Sequence, residues 1–131
     1  MENKNELRIA ILDDEKDMLQ ALSILLEKLG YQSPSVFQDG TSLVRSMMID
    51  RKSYDVLLID YRMPEMNGIE AAKIIQRYRK ETKIIMITGY EFVRKKASEI
   101  GIAFLLKPFT MGDLSHCLEN LKLVDPQTLG S

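Results

Sequence analysis

Five short apolar runs divide the chain, and segments with helical spacing lie between them. The runs cover residues 7–12, 33–37, 54–59, 83–88 and 102–106. Three of them, RIAIL, DVLLI and KIIMI, are nearly continuous in apolar residues and do not alternate with polar ones. Continuous apolar runs of this length are typical of strands buried on both faces, as in a parallel sheet covered by helices.

The intervening segments carry apolar residues at the spacing of one helix face. Three predicted stripes are Met18, Leu22, Leu25, Leu29; Ala71, Ile74, Ile75, Tyr78; and Leu114, Cys117, Leu118, Leu121. Weaker helical patterns cover residues 41–49 and 91–100.

Local signals mark several helix ends. Asn67 with Glu70 and Thr110 with Asp113 have the spacing of capping boxes. A glycine, Gly30 or Gly101, follows two of the patterns, where a left-handed cap is favoured. Strand and helix thus alternate five times, which predicts an α/β fold with a parallel sheet and right-handed crossovers.

Composition narrows the class of protein. The chain has 131 residues, 45% of them hydrophobic, enough for one core without a disulfide or a structural metal. A net charge of −1 predicts no direct nucleic-acid binding. The single cysteine, Cys117, favours a reducing cytoplasm. No run approaches the roughly 20 apolar residues of a membrane span, and the first residues do not resemble a secretory signal.

Polar residues stand where the predicted strands end. Asp13 and Asp14 end the first strand, Asp60 the third, Thr88 the fourth and Lys107 the fifth. Because parallel strands place their carboxyl ends at one edge of the sheet, where ligands bind, we expect these side chains to converge.

A cluster of three carboxylates constrains the chemistry. Two unit charges about 4 Å apart repel by roughly 4 kcal/mol at an effective dielectric constant near 20, so the cluster must bind protons or a cation. Oxygen ligands with open positions suit Mg²⁺, with Mn²⁺ as the other possibility. Asp60 would then have an oxygen free to attack phosphorus, while Lys107 and the metal neutralise the phosphoryl oxygens.

The motifs ILDDE, LLIDYRMPEMNG, MITG and LLKPF resemble the receiver domain of two-component response regulators. The resemblance covers residues 7–122, leaving 1–6 as an N-terminal extension and 123–131 as a C-terminal tail. It implies a flavodoxin-like, doubly wound (βα)5 fold of three layers with strand order 2-1-3-4-5.

The resemblance also implies the site. Asp60 would be the phosphoacceptor, Asp14 a direct magnesium ligand and Asp13 a ligand largely through water. The backbone carbonyl of Arg62 would complete the protein ligands, and Lys107 would pair with the phosphate.

Further positions follow from the same resemblance. Thr88 is similar to the switch hydroxyl and Phe104 to the switch aromatic residue. The bond between Lys107 and Pro108 would be cis. Arg62 and Tyr90, two residues after Asp60 and Thr88, would flank the phosphoryl group and tune the access of water.

The implied activity is signalling by phosphoryl transfer and not turnover of a separate substrate. A phosphohistidine on a sensor histidine kinase or a histidine phosphotransfer protein would donate the group, and the domain would later hydrolyse it. Output would come from the face of the fourth helix, fifth strand and fifth helix, which would bind a downstream protein or a second copy of the chain.

Plainer interpretations of single residues stay open. Asp14 could be a helix N-cap, Asp60 a turn former, Thr88 a cap of the fourth helix, and Lys107 a solvated loop residue. Phe104 could be a core residue. Cys117 is predicted to pack in the core and His116 to lie on the surface. The basic run 94–96 is either a solvated face or a partner surface.

Rival functions differ in features visible in the sequence. A phosphatase of the haloacid dehalogenase type would need an acid where Arg62 stands. The glycine patterns of P-loop and dinucleotide-binding enzymes do not occur. A phosphate-independent interaction module on a receiver fold is the alternative, although degenerate members of that kind lose an acid or the lysine.

Overall fold

A computed structural model describes residues 4–121, which form a five-stranded parallel sheet with helices on both faces. The strands are β1 (Ile9–Leu12), β2 (Ser35–Phe37), β3 (Val56–Asp60), β4 (Lys83–Thr88) and β5 (Ala103–Leu106). The helices are α1 (Lys16–Lys28), α2 (Gly40–Met48), α3 (Gly68–Tyr78), α4 (Val93–Glu99) and α5 (Met111–Glu119).

The sheet has the order β2-β1-β3-β4-β5, with β3 in the centre, and every pair is parallel. The predicted fold class and strand order are therefore confirmed. The predicted strands also match, but four of them begin one or two residues later than the apolar runs do. Residues 4–6 form a short 3-10 helix before β1. The proposed tail 123–131 and Lys122 lie outside the described residues.

Two apolar layers hold the helices on the sheet. Alternate residues of the strands point to opposite faces, so β3 contributes Leu57 and Ile59 to one layer and Val56 and Leu58 to the other. The first layer lies under α2, α3 and α4, and the second lies under α1 and α5. Each fully buried leucine or isoleucine stabilises the fold by about 1.5–3 kcal/mol, which explains the unbroken apolar runs.

Two predicted helix faces need correction. In α1 the buried residues are Leu19, Leu22 and Leu26, whereas the predicted Met18, Leu25 and Leu29 are only partly buried. Both lines of apolar residues fit helical spacing, and only the packing of α1 on the sheet decides between them. In α3, the spacing predicts Tyr78 on the buried stripe, but it is the last residue of the helix and is 56% exposed.

The helix ends follow the sequence signals. The capping boxes at Asn67 and Thr110 are both present, with the side-chain and backbone hydrogen bonds in both directions. Gly30 has φ of 98° and Gly101 has φ of 72°, the left-handed conformation expected after a helix. Within residues 4–121, no helix has the length and apolar character needed to cross a membrane.

Candidate functional site

The register of the sheet brings two acidic residues side by side. Leu12 of β1 is paired with Ile59 of β3, so the next residues on the two strands are Asp13 and Asp60. Asp14 follows directly. The convergence expected from the strand ends therefore arises from neighbouring central strands, although the residues are distant in sequence.

The three carboxylates form one cluster. One oxygen from each of Asp13, Asp14 and Asp60 lies within 4.8 Å of the other two. Asp13 is buried, Asp60 is half-buried and Asp14 is exposed, so the cluster opens to solvent on one side. This set of hard oxygen donors with an open side fits a small divalent cation such as Mg²⁺.

Lys107 reaches the cluster from the end of β5, on the far side of β4. It follows β5, and its Nζ lies 3.2 Å from Oδ1 of Asp60 and 3.7 Å from Oδ2 of Asp13. Its side chain keeps 25% exposure, against 11% for Asp60 and 3% for Asp13. One cation therefore faces three carboxylates, and the cluster keeps an excess of negative charge.

The surroundings of the cluster raise the pKa values of two of its acids, Asp60 and Asp13. Burial raises the pKa of Asp60 to about 6, the charges of Asp13 and Asp14 add to this, and the charge and hydrogen bond of Lys107 act against it. Burial likewise raises the pKa of Asp13, although the Glu15 backbone N–H and Lys107 oppose it. Both acids therefore hold protons more tightly than ordinary carboxyl groups.

Asp13 also shapes the turn into α1. Its Oδ1 accepts a hydrogen bond of 2.9 Å from the backbone N–H of Glu15. The N-cap residue of α1 is Glu15, and no side chain caps this helix. The plainer interpretation of Asp14 as an N-cap is therefore wrong, and its exposed carboxylate is left for the cluster.

Thr88 ends β4, the strand between β3 and β5, and it is buried. Its backbone carbonyl accepts a hydrogen bond of 2.8 Å from the Lys107 N–H. Its hydroxyl accepts one of 3.2 Å from the Tyr90 N–H. The helix α4 begins later, with Phe92 as its N-cap residue and no capping side chain, so the interpretation of Thr88 as the cap of this helix is wrong.

A cleft of about 630 Å³ opens above these residues. Its lining consists of Asp14, Glu15, Asp60, Arg62, Met63, Pro64, Thr88, Gly89, Tyr90 and Lys107. Arg62 donates a hydrogen bond to the hydroxyl of Tyr90, and its guanidinium carbon lies 5.7 Å from the centre of that ring. The two side chains together form one wall of the cleft.

Close packing at Gly68 holds the loop after Asp60. The Gly68 N–H donates a hydrogen bond of 2.8 Å to the carbonyl of Tyr61. A Cβ atom added to Gly68 would lie 2.6 Å from the carbonyl oxygen of Asp60 and 2.7 Å from Sδ of Met86. Only glycine lets the start of α3 approach the end of β3 this closely.

Aromatic contacts beside the cleft were not expected from the sequence. The Tyr61 and Phe92 rings meet edge to face, with centroids 5.8 Å apart, and the Tyr90 ring lies 5.7 Å from that of Phe92. The available signal was position alone, since each aromatic residue follows within a few residues of the end of β3 or β4.

The region of Phe104 is half-buried. Its ring packs against the layer under α4, and the guanidinium carbon of Arg94 lies 4.6 Å from the ring centre. The Lys107–Pro108 peptide bond is cis. The sequence predicts a solvated face or a partner surface for residues 94–96, and neither interpretation includes the contact of Arg94 with Phe104.

Two residues singled out in the sequence lie away from the cleft. Cys117 is half-buried against the layer under α5, where burial raises the pKa of its thiol, so it lies at the margin of the core and not inside it as predicted. His116 is exposed on α5, also as predicted.

The chain is similar to known proteins in sequence and in structure. The family model for the response regulator receiver domain matches residues 9–119. The response regulator receiver protein CpdR of Brucella abortus is 32% identical over 117 residues, covering 87% of this chain and 95% of CpdR. The transcriptional regulatory protein ResD of Bacillus subtilis is 32% identical over 113 residues, covering 84% of this chain and 45% of ResD.

Among solved structures, the response regulator protein TrrA of Thermotoga maritima, in complex with Mg²⁺ and BeF, is similar with a TM-score of 0.79. It is 26% identical, and the match covers 88% of this chain and 99% of TrrA. The chain spans less than half the length of several curated relatives that it matches. The match to the family model and the likeness to CpdR establish that this chain belongs to the family of response regulator receiver domains.

Proposed function

We propose that this receiver domain accepts a phosphoryl group on Asp60 with the help of Mg²⁺. The observation that carries the proposal is the meeting of three carboxylates within 4.8 Å of one another, with Lys107 3.2 Å from Asp60. The phosphate-independent interaction module is the weaker alternative, because this chain keeps every charged group that the transfer requires.

The cation would be held by Asp13, Asp14, Asp60 and the backbone carbonyl of Arg62. The raised pKa values of Asp13 and Asp60 support this assignment, because a divalent cation would offset the repulsion and burial that raise them. Bound Mg²⁺ supplies positive charge that offsets the negative charge of the phosphoryl oxygens. Mn²⁺ prefers the same oxygen donors and would be expected to substitute.

Asp60 is the nucleophile of the proposed transfer. One carboxylate oxygen forms a bond to phosphorus while the bond between phosphorus and the donor's imidazole nitrogen breaks, and the imidazole keeps that electron pair. Asp60 must be ionised to react, and with a pKa of about 6 it is mostly ionised at neutral pH. In the later hydrolysis, the oxygen of a water molecule forms a bond to phosphorus while the bond between phosphorus and the Asp60 oxygen breaks. The Asp60 carboxylate and inorganic phosphate are the products.

Lys107 and Thr88 would stabilise the product. The ammonium group of Lys107 already contacts Asp60, and it would turn to a phosphoryl oxygen when that carboxylate loses its charge. The Thr88 hydroxyl would donate a hydrogen bond to another oxygen. Among residues 4–121, the Thr88 hydroxyl only accepts a hydrogen bond, from the Tyr90 N–H, so its proton is available for this role.

The signal would be a shift between two states of the domain. Thr88 would move toward the phosphoryl group and Phe104 would follow it inward. The face formed by α4, β5 and α5 would then change its affinity for a downstream protein or for a second copy of the chain. The donor would be a phosphohistidine on a sensor histidine kinase or a histidine phosphotransfer protein.

Arg62 and Tyr90 would set the lifetime of the phosphorylated state. Their side chains are hydrogen-bonded to each other and form a wall of the cleft above Asp60. An attacking water has to approach phosphorus from the side opposite the Asp60 oxygen, and it would reach phosphorus through the cleft that Arg62 and Tyr90 line. The paired side chains restrict that approach.

Intact mass after incubation with acetyl phosphate and Mg²⁺ tests the proposal. We expect the mass to increase by one phosphoryl group, and we expect no increase with Asp60→Asn or when a chelator replaces Mg²⁺. Asp50→Asn, which changes an exposed acid outside the cluster, is the matched control and should be modified normally. An unmodified wild-type mass would favour the interaction module, and label on the Asp60→Asn protein would refute the assignment of the acceptor.

A further inference from the structure

Arg94 covers the ring of Phe104. Arg94 lies in the first turn of α4, Phe104 lies in β5, and the guanidinium carbon is 4.6 Å from the ring centre. A guanidinium within about 6 Å of an aromatic ring is attracted by the negative charge on the ring face. The contact therefore favours the half-buried ring position that this structure contains.

Glu91 fixes the guanidinium in this place. Its two carboxylate oxygens accept hydrogen bonds from Nε of Arg94 at 2.5 Å and from a terminal nitrogen at 3.3 Å. A two-point contact of this kind sets the plane of the guanidinium and not only its position. The adjacent Lys95 is also exposed, but within residues 4–121 it has no comparable ring contact or ion pair.

Phe104 is well placed to respond to Thr88. In the parallel pairing of β4 and β5, Met86 lies opposite Phe104 and Thr88 lies opposite Leu106. Met86 and Phe104 both belong to the layer under α4, and strand alternation directs Thr88 to the same face. Thr88 and Phe104 are thus diagonal neighbours on one face of the sheet, at a separation that a phenylalanine ring can bridge.

We infer that Arg94, oriented by Glu91, is a positioning residue that holds Phe104 in its unphosphorylated position and so opposes the phosphorylated state. This inference rests on the proposed function, because it requires that Phe104 moves when Asp60 is modified. A contact made in only one of two states shifts the equilibrium toward that state. By reciprocity, the same contact weakens the binding of any ligand that prefers the other state.

The experiment measures the affinity for beryllofluoride, a stable mimic of the phosphoryl group, in saturating Mg²⁺. Fluorine NMR of protein labelled with fluorophenylalanine follows the titration and reports on the ring of residue 104, since the chain has four phenylalanines and Phe104→Leu identifies the resonance. Arg94→Met removes the guanidinium but keeps an apolar side chain. Lys95→Met removes the same charge from the next position and is the matched control.

We expect Arg94→Met to bind beryllofluoride about two- to fivefold more tightly than the wild type, the range that corresponds to an exposed cation–ring contact. Lys95→Met should leave the affinity unchanged. In the Phe104→Leu background, Arg94→Met should also have no effect, because the ring through which Arg94 acts is gone. The resonance of Phe104 in the free protein should shift toward its position in the complex only in Arg94→Met.

Three results would overturn the inference: equal effects of the two methionine variants, weaker binding by Arg94→Met, or an effect of Arg94→Met that persists without Phe104. Each of these leaves the proposed function intact. If the wild-type chain itself forms no beryllofluoride complex in Mg²⁺, the proposed function fails and this inference fails with it.

Discussion

Neutralising the acceptor carboxylate should stabilise the metal-free protein. In the folded chain Asp60 has a pKa of about 6, against an ordinary value of 3.8. Between these values the folded state binds more protons than the unfolded state, so the stability falls as the pH rises through this interval. Above it, the ionised Asp60 is a destabilising charge, and Asp60→Asn removes that charge while keeping the shape of the side chain.

The magnitude follows from the gap between the two pKa values. A tenfold change in proton binding corresponds to about 1.4 kcal/mol, so full ionisation of Asp60 destabilises the fold by about 3 kcal/mol. Asp60→Asn should therefore raise the free energy of unfolding by about 3 kcal/mol at pH 8 and by only about 1 kcal/mol at pH 4.5. Lys107 keeps Asp13 as a partner in this variant, at 3.7 Å, so the substitution leaves no cation unpaired.

Urea unfolding at several pH values in a chelator checks this prediction. For a slope near 2 kcal/mol per molar urea, the midpoint at pH 8 should rise by about 1.5 M. Asp17→Asn, at an exposed position in α1, should give no such gain. Added Mg²⁺ should reduce the difference in free energy of unfolding between Asp60→Asn and the wild type, because it binds the native wild type more tightly than the native variant. A variant that is no more stable than the wild type at pH 8, or a gain that is the same at both pH values, would refute the reasoning.

Further substitutions test other parts of the structure. Gly68→Ala should lower the free energy of unfolding by about 1–3 kcal/mol and impair phosphorylation, because its Cβ would meet the backbone oxygen of Asp60; urea unfolding and intact mass measure the two effects. Arg51→Gly should raise the free energy of unfolding by up to about 1 kcal/mol, because Arg51 has φ of 56°, a left-handed conformation that favours glycine; an unchanged or lower urea midpoint contradicts this. Asp14→Ala should abolish weak Mg²⁺ binding in a calorimetric titration, and retained binding would remove Asp14 from the site. Tyr90→Ala should shorten the lifetime of the phosphorylated protein by opening the cleft, and an unaltered hydrolysis rate would disprove that role.

The sequence pattern was sufficient for the architecture because buried parallel strands leave a strong signal. The run that became β4 was predicted at its observed bounds, since residues 83–88 combine an apolar centre with polar residues on each side. The face of α1 was not predictable, because Leu19 and Leu22 fit one helical line as well as Met18 and Leu22 fit another. The choice depends on the orientation of the helix on the sheet, which local spacing does not encode.

Within the candidate site, the acidic cluster was predictable and the side-chain contacts around it were not. Parallel strands necessarily deliver Asp13 and Asp60 to one edge, so their convergence follows from topology. The pairing of Arg62 with Tyr90 depends on the paths of two loops and on side-chain rotamers. The contact of Arg94 with Phe104 likewise depends on how far α4 is rotated about its axis, and a charged run in the sequence contains no information about that rotation.

The order of the strands predicts that one part of the site is locally more stable than the other. The carboxylates are carried by β1 and β3, which are paired on both sides, whereas Lys107 follows β5, an edge strand paired only with β4. Edge elements open locally at lower free energy than central ones, so amide hydrogens should exchange most slowly beneath the anionic side chains and faster beneath the cationic one. Such a scaffold keeps the acidic side chains stationary while the lysine and the strand that carries it remain free to adjust.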